Sequence, residues 1–497
     1  MIEYTSTRNA DIRVRSGQAI LDGQAQGGGL YVPADIDAIK ADWRSIIKKD
    51  FRGMAKDVWN IFFDDYGEEK IDELVEASYK DKFAAADITP LVKTGDAWVL
   101  ELWHGPTSAF KDVALSALPN LMSAARSMNG FTDDIMILTA TSGDTGSAAI
   151  QGFRDVPGTG IIVFYPHGGV SDTQRLQMVT PDSSNVTACA IRGNFDDAQT
   201  GVKKLFREIP QPAAGVSLSS ANSINIGRLV PQIVYYFSAY GQLVKNGIIA
   251  EGDKIDFVVP TGNFGDIMAG WYALKMGLPV GRLVCASNKN DVLTEFLNTG
   301  HYDRKREFYK TTSPSMDILV SSNLERLLWY ICGPEHTVQY MKQLEETGEY
   351  QITDNELFEM QKVFTGVFAS DDEGAAAIKS VFDAEHYLMD THTSIAWACM
   401  EKYRSGDAPA GTVPFGSDAK EAVVLSTASP YKFSAAVLRA LGEELTGSDE
   451  GNMKKVREIT GAEVPAGLAG IFSKPVIHKD VIDIPDMKDY VIEKCTK

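Results

Sequence analysis

The chain has 497 residues, too long for one ordinary core, so two or three domains are expected. Hydrophobic residues make up 44% and charged residues 23%, ordinary values for a soluble globular protein. The net charge of −19, with no extended basic patch, argues against nucleic acid as a partner, and an anionic substrate would need a site locally positive against that field.

Residues 1–92 read as a mostly helical unit. Gly27-Gly28-Gly29-Leu30-Tyr31-Val32-Pro33 is an early turn, and apolar spacing predicts helices from Asp42-Trp43 to Phe62-Phe63 and from Glu68 to Tyr79. A Gly-Pro loop, Trp103 to Asp112, then opens an apolar stretch, Val113 to Leu118, which puts Lys111 near a helix N-terminus. From Asp134 apolar runs alternate with helices. Ile135–Ala140 precedes a helix over Ser147–Phe153, Ile161–Tyr165 one over Ser171–Met178, and Val186–Ile191 one from about Asp196 to Glu208. Phe257–Pro260 precedes a helix over Asp266–Met276, and Arg282–Ala286 follows. Continuous apolar runs between helices predict parallel strands buried on both faces, an α/β fold over 93 to about 300. Residues 300–400 break the alternation. Asn355–Phe368 and Asp372–Tyr403 predict a helical insertion, and Ala422–Thr427 restores one buried strand.

Five cysteines at wide spacing, with no C-x-x-C pair, suit a reducing compartment rather than disulfides or zinc. The N-terminus shows no secretory signal and no stretch is apolar enough to span a bilayer, so a cytoplasmic protein is expected. No Gly-x-Gly-x-x-Gly follows a strand, and neither a P-loop nor a His-Glu-x-x-His metal motif occurs. No metal site is expected.

Ligands of open α/β sheets bind where strands end in turns leading to helices. Four such turns carry unusual chemistry. Thr141-Ser142-Gly143-Asp144-Thr145-Gly146 aims hydroxyls and amides at a helix N-terminus, suiting a carboxylate or phosphate; the same residues also suit a plain helix cap. In Thr261-Gly262-Asn263-Phe264-Gly265-Asp266 two glycines let the main chain wrap a phosphate, provided the Asp266 carboxylate turns away; an ordinary turn is the alternative. Ser219 to Arg228 gathers hydroxyls, Asn222, Asn225 and one arginine, a donor set for a second anion or an Asn/Ser cap beside a surface arginine. Leu425-Ser426-Thr427-Ala428-Ser429-Pro430 places a hydroxyl at a strand end, where it either meets a ring nitrogen or simply closes a turn. Lys111 itself is either a solvated surface lysine or an amine driven toward its neutral, nucleophilic form by burial and the helix dipole. His104, His167 and His392 are candidates for acid–base work or for structural roles.

Taken in order, Gly29–Pro33, His104–Thr107 with Phe110-Lys111-Asp112, Ser142–Gly146, Asn222–Asn225 with Arg228, Gly262–Asp266 and Leu425–Ala428 resemble the threonine synthase family. These are pyridoxal-phosphate enzymes sharing the fold of the tryptophan synthase β subunit and the serine/threonine dehydratases. The resemblance implies two parallel-sheet domains of fold type II, with a helical N-terminal domain and a helical insertion. It implies an N-terminal domain over 1–92, a smaller α/β domain over 93–220 carrying Lys111 and the carboxylate loop, and a larger α/β domain over 221–497 carrying the cofactor phosphate loop, with the insertion at about 300–400. It further implies that Lys111 bonds pyridoxal 5'-phosphate covalently, that Gly262, Asn263, Phe264, Gly265 and Asp266 hold the cofactor phosphate, and that Thr427 meets the pyridine nitrogen. Ser142, Gly143, Asp144 and Thr145 would hold the substrate carboxylate, and Asn222, Ser223, Asn225 and Arg228 the leaving phosphate. Related enzymes carry asparagine at the place of Asp144, so an acid there needs an offsetting donor. The implied reaction turns O-phospho-L-homoserine and water into L-threonine and phosphate, a lyase step of threonine biosynthesis, in a monomer or homodimer. The competing readings are a threonine dehydratase or phospho-lyase of the same fold, and a non-catalytic relative that binds ligands.

Overall fold

The computed structural model describes residues 1–141, 143–412 and 418–496. The N-terminal unit carries the two expected helical stretches as Trp43–Ile46 with Phe51–Phe62, and as Glu68–Tyr79. It also holds a small antiparallel sheet of β1 (Tyr4–Ser6), β2 (Asn9–Val14) and β3 (Tyr31–Pro33), in the order β2-β1-β3, so it is less purely helical than its apolar spacing suggests.

Two larger sheets follow. The strands are β4 (Leu91–Thr94), β5 (Ala97–Glu101), β6 (Asp134–Ala140), β7 (Thr159–Pro166), β8 (Val186–Arg192), β9 (Val216–Ser219), β10 (Lys254–Pro260) and β11 (Val280–Ser287). Then come β12 (His301–Asp303), β13 (Glu349–Gln351), β14 (Phe364–Phe368), β15 (Ala419–Ser426) and β16 (Val481–Asp483). The six-stranded sheet runs β14-β11-β10-β15-β5-β4, parallel except for the edge strand β4. The five-stranded sheet runs β16-β8-β7-β6-β9, parallel throughout. Apolar runs without alternation form these strands because helices cover both faces; every residue of β7 is buried.

The sheets do not respect the expected boundaries. The strand β5, inside 93–220, pairs with β15 of the larger sheet, and β16, near the C-terminus, pairs with β8 of the smaller one. The segment 300–400 is also less helical than expected. The helix expected over Asn355–Phe368 stops at Gln361, and Phe364–Phe368 becomes β14, an edge strand of the large sheet. Its Phe-Thr-Gly-Val-Phe sequence suits a buried strand better than a helix turn. The stretch Asp372–Tyr403 is two helices, Asp371–Glu385 and Thr391–Ser405, separated where His386 adopts a left-handed backbone. Tyr302, Tyr350 and Tyr340 stack beside the β12–β13 pair and join this segment to the main apolar core.

Candidate active site

Adjacency in the large sheet assembles the site. The neighbours β5, β15 and β10 all end at one edge, so the loops to Lys111, Thr427 and Gly262–Asp266 converge there. The loop before Lys111 is fixed by its neighbour: the Asp112 carboxylate accepts from the Thr107 amide at 2.8 Å and the Thr107 hydroxyl at 2.6 Å. Phe110 donates its amide to the Thr427 carbonyl at 2.8 Å, tying the lysine loop to the strand-end turn. The helix that opens at Lys111 is only Lys111–Leu115, and it crosses the helix Asp144–Phe153 so closely that a Cβ on Gly152 would lie 2.0 Å from the Leu115 carbonyl.

The Lys111 side chain is partly buried. Burial is the main cause that pushes it down to about 8; the Asp144 carboxylate opposes this, and Arg228 and Lys432 add to it. An amine so depressed becomes a free nucleophile and proton carrier about two pH units earlier than an ordinary lysine.

The Gly262–Asp266 turn has the geometry of a phosphate cradle. Phe264 takes a left-handed backbone (φ 62°) at the start of the helix Gly265–Met276, and no side chain caps that helix, so its first amides face the turn. A Cβ on Gly262 would stand 2.6 Å from the Ser315 carbonyl, so only glycine fits. The Asp266 carboxylate does turn away, accepting from the hydroxyls of Tyr235 at 2.6 Å and Tyr236 at 2.9 Å. Burial still raises it to about 6, against those two hydrogen bonds. Asn263 is exposed.

The turn after β6 supplies the offset its acid requires. Asp144 is buried, and Lys432 places its ammonium 2.9 Å from Asp144 Oδ1 while also donating to the Thr107 carbonyl at 2.9 Å. Gln174 donates to the same carboxylate oxygen at 3.0 Å. Burial alone would raise Asp144; Lys432, Lys111 and Gln174 outweigh it and hold the carboxyl well below the usual carboxylate range. Gly143 and Thr145 flank it, and Ser142 lies outside the described residues. Lys432 and Gln174 went unnoticed in the sequence. The signal at Lys432 was present, since Ser429-Pro430-Tyr431-Lys432 repeats the pattern of a lysine between a strand-end turn and an apolar helix.

Arg228 is 4% exposed, and among the described residues no carboxylate pairs with it. Its Nη1 donates to the Ala221 carbonyl at 3.0 Å, its Nε has no partner among the described residues, and burial lowers it to about 10. An unpaired buried guanidinium needs an anion. Asn225 differs from the sequence expectation. Its amide donates to the Ile20 carbonyl at 2.9 Å and its oxygen accepts from the Gly227 amide at 2.9 Å, so both ends hold the chain rather than a ligand. Ser223 is half-buried and Asn222 exposed on the same turn. Of the other candidate histidines, His104 pairs with Glu101 at 2.7 Å, and His167 is exposed. Among the described residues, no three His, Cys, Asp or Glu side chains are grouped to hold a metal ion.

A lysine of lowered basicity, a glycine-bounded phosphate cradle and a strand-end hydroxyl at the converging ends of one parallel sheet define a pyridoxal-phosphate-dependent enzyme of fold type II. Three family models cover the chain: threonine synthase N terminus over residues 3–79, pyridoxal-phosphate dependent enzyme over 85–414, and threonine synthase C-terminal over 395–491. The chain belongs to the threonine synthase family. It is 36% identical over 476 residues to threonine synthase of Schizosaccharomyces pombe, covering 88% of this chain and 89% of that one. It is 36% identical over 484 residues to threonine synthase-like 1 of Macaca fascicularis, covering 94% of this chain but only 62% of that longer protein. The crystal structure of pyridoxal-phosphate-bound threonine synthase from Brucella melitensis matches with a TM-score of 0.87 at 35% identity, covering 100% of both chains.

Proposed function

We propose that this chain is a threonine synthase, converting O-phospho-L-homoserine and water to L-threonine and phosphate with pyridoxal 5'-phosphate as cofactor. The observation that carries the substrate is Arg228, a buried guanidinium with an unpartnered Nε close enough to Lys111 to depress its amine. The cofactor, when bound, withdraws electrons from the substrate α-carbon. Gly262, Asn263, Phe264, Gly265 and Asp266 would hold its phosphate, Thr427 would face its ring, and Lys111 would anchor it. Gly143, Asp144, Thr145 and Ser142 form the carboxylate turn, in which Lys432 offsets the charge of Asp144. Arg228, with Ser223 and Asn222, takes the leaving phosphate, and Asn225 shapes that turn.

Once free of the cofactor, the Lys111 amine carries protons one at a time: it takes one from Cα and gives it up to solvent, then takes one from Cβ and passes it to Cγ. The Cγ–O bond breaks, phosphate leaves toward Arg228, and Cγ gains a proton. Water then adds its hydroxyl at Cβ, and Cα regains a proton from Lys111. The net change is hydroxyl gained at Cβ and phosphate lost at Cγ, which balances the overall reaction. The site works in the cytoplasm, in a monomer or homodimer; five unbonded cysteines support a reducing compartment, and among the described residues no helix is long and apolar enough to cross a membrane.

The test supplies the purified chain with pyridoxal phosphate and O-phospho-L-homoserine and quantifies products. Threonine and phosphate in equal amounts are expected. Formation of 2-oxobutanoate and ammonia would make it a lyase of another kind, and no product at all would overturn the reading. Arg228→Ala should raise KM for phosphohomoserine about 10- to 150-fold, the loss of a hydrogen-bonded charge contact worth about 1.5–3 kcal/mol, while kcat falls less.

A further inference from the structure

The segment 300–400 reaches the site through a buried acid–histidine pair. Asp390 begins the helix Thr391–Ser405 and is completely buried; its Oδ1 accepts from the Thr393 amide at 3.1 Å and from the Thr393 hydroxyl, and its Oδ2 accepts from the His392 amide at 2.9 Å. The same Oδ2 lies 2.8 Å from His392 Nδ1. His392 is 1% exposed, and its Nε2 accepts the amide proton of Ser315 at 3.1 Å. An accepting Nε2 requires the neutral ring with its proton on Nδ1, the tautomer that a carboxylate at Nδ1 enforces.

Ser315 stands in a single tight turn, Pro314–Met316, clamped from the other side as well. Asn288 donates to Ser313 Oγ at 3.0 Å and to Asp317 Oδ1 at 2.8 Å, and Thr311 donates its hydroxyl to Asp317 Oδ1 at 2.7 Å. The turn therefore has little freedom, and it presents Ser315 Oγ 3.4 Å from Lys111 Nζ while the Ser315 carbonyl closes over Gly262.

We propose that Ser315 is a further catalytic residue, anchoring the Lys111 amine while it carries protons, and that Asp390 and His392 are its positioning residues. This rests on the reading of Lys111 as the reacting amine. A free primary amine rotates about its Cε–Nζ bond. One N–H tied to Ser315 Oγ restricts that rotation and sets the direction of the lone pair toward the substrate carbons, an orientation effect rather than a binding one. The pair behind Ser315 acts at a distance of one residue, as outer partners of a catalytic group do.

The holoenzyme variants Ser315→Ala, Ser315→Thr, His392→Leu and His392→Gln test this. Ser315→Ala should lower kcat about 10- to 100-fold, the usual cost of losing such a partner, with KM within about twofold of the parent. Ser315→Thr restores the hydroxyl and should recover most of the rate. His392→Leu should behave as Ser315→Ala, and His392→Gln, which keeps an acceptor at Nε2, should recover part. A second readout needs no turnover: in the cofactor-free full chain, the pH midpoint for arylation of Lys111 by fluorodinitrobenzene should fall by about half a unit in Ser315→Ala, because an acceptor for the ammonium is lost. If His392→Leu does not fold, the Ala and Thr variants of Ser315 decide alone. Unchanged kcat and an unchanged midpoint in Ser315→Ala, with Lys111→Ala inactive, would overturn the inference and leave the function standing. A Lys111→Ala enzyme with near-normal rate would overturn the function itself.

Discussion

At Lys111 two effects oppose each other, and their sizes decide the chemistry. Burial disfavours the ammonium and outweighs Asp144, which favours it; the cations Arg228 and Lys432 add to burial, so that the amine titrates near 8 instead of 10.5. The sign is that of a group neutralised early: below about pH 8 Lys111 is charged and unreactive, above it free. Arylation of Lys111 in the cofactor-free chain, followed by peptide mass spectrometry, should therefore rise through a midpoint near pH 8, whereas surface lysines rise near their ordinary value of about 10.4. A Lys111 midpoint indistinguishable from the surface lysines would show that the amine is solvated. Arg228 follows the same logic with a different outcome. A guanidinium stays charged even when burial lowers it to about 10, so it waits for an anion instead of becoming a base.

At the scale of elements, the contact between Asp144 and Lys432 joins the turn after β6, in the small sheet, to the turn after β15, in the large one. Both side chains are buried, at 4% and 0% exposed, so each charge depends on the other. Lys432→Met alone should destabilise the chain by about 3–5 kcal/mol, since it strands a carboxylate in the interior. Adding Asp144→Asn should return a large part of that loss. Urea unfolding of the four proteins of this cycle gives the coupling directly, and additive losses would mean that the pair is not linked. The N-terminal unit has a parallel role. Asn225 donates to the Ile20 carbonyl, Arg326 donates to the Tyr31 carbonyl and to the Ile224 carbonyl, and Arg8 pairs with Glu325 at 2.9 Å. These contacts brace the turn that carries Arg228, so the first eighty residues support the anion site.

Over the whole molecule, the chain ends where its smaller sheet begins. The strand β16 lies on the open edge of β8, and the helix Met487–Thr496 sets Met487, Tyr490 and Val491 into one apolar cluster with Leu138, Phe164, Ile191 and Leu205. Burying each such side chain contributes about 1.5–3 kcal/mol, and an uncovered parallel edge invites association. A chain truncated after Lys479 should lose stability in the small-sheet domain first, bind a hydrophobic dye and aggregate on mild heating, while the large sheet keeps its strand order. Light scattering and dye fluorescence across a thermal ramp check this; a truncated chain that melts like the parent would show that the closing strand is dispensable.

The α/β class, the alternation over residues 135–286 and the four chemical turns were legible in the sequence because each is a local pattern: an apolar run long enough to be buried on both faces, then glycines and hydroxyls where a helix starts. The rest depended on distance in space. Nothing near Asp144 announces Lys432, 288 positions on. The helix expected over Asn355–Phe368 lost only its last residues, Phe364–Phe368, to strand pairing with β11, since local spacing is weaker than an open sheet edge. Asn225 looked like an anion ligand, and only the packing of Ile20 against its turn turned the amide inward. By itself, then, the order of residues determined the buried parallel strands with the helices between them and which turns hold donors. The tertiary structure decided which charges face one another. Ionisation and hydrogen bonding depend on burial and on neighbours within a few ångströms, and those neighbours come from three regions of the chain that only the two sheets bring together.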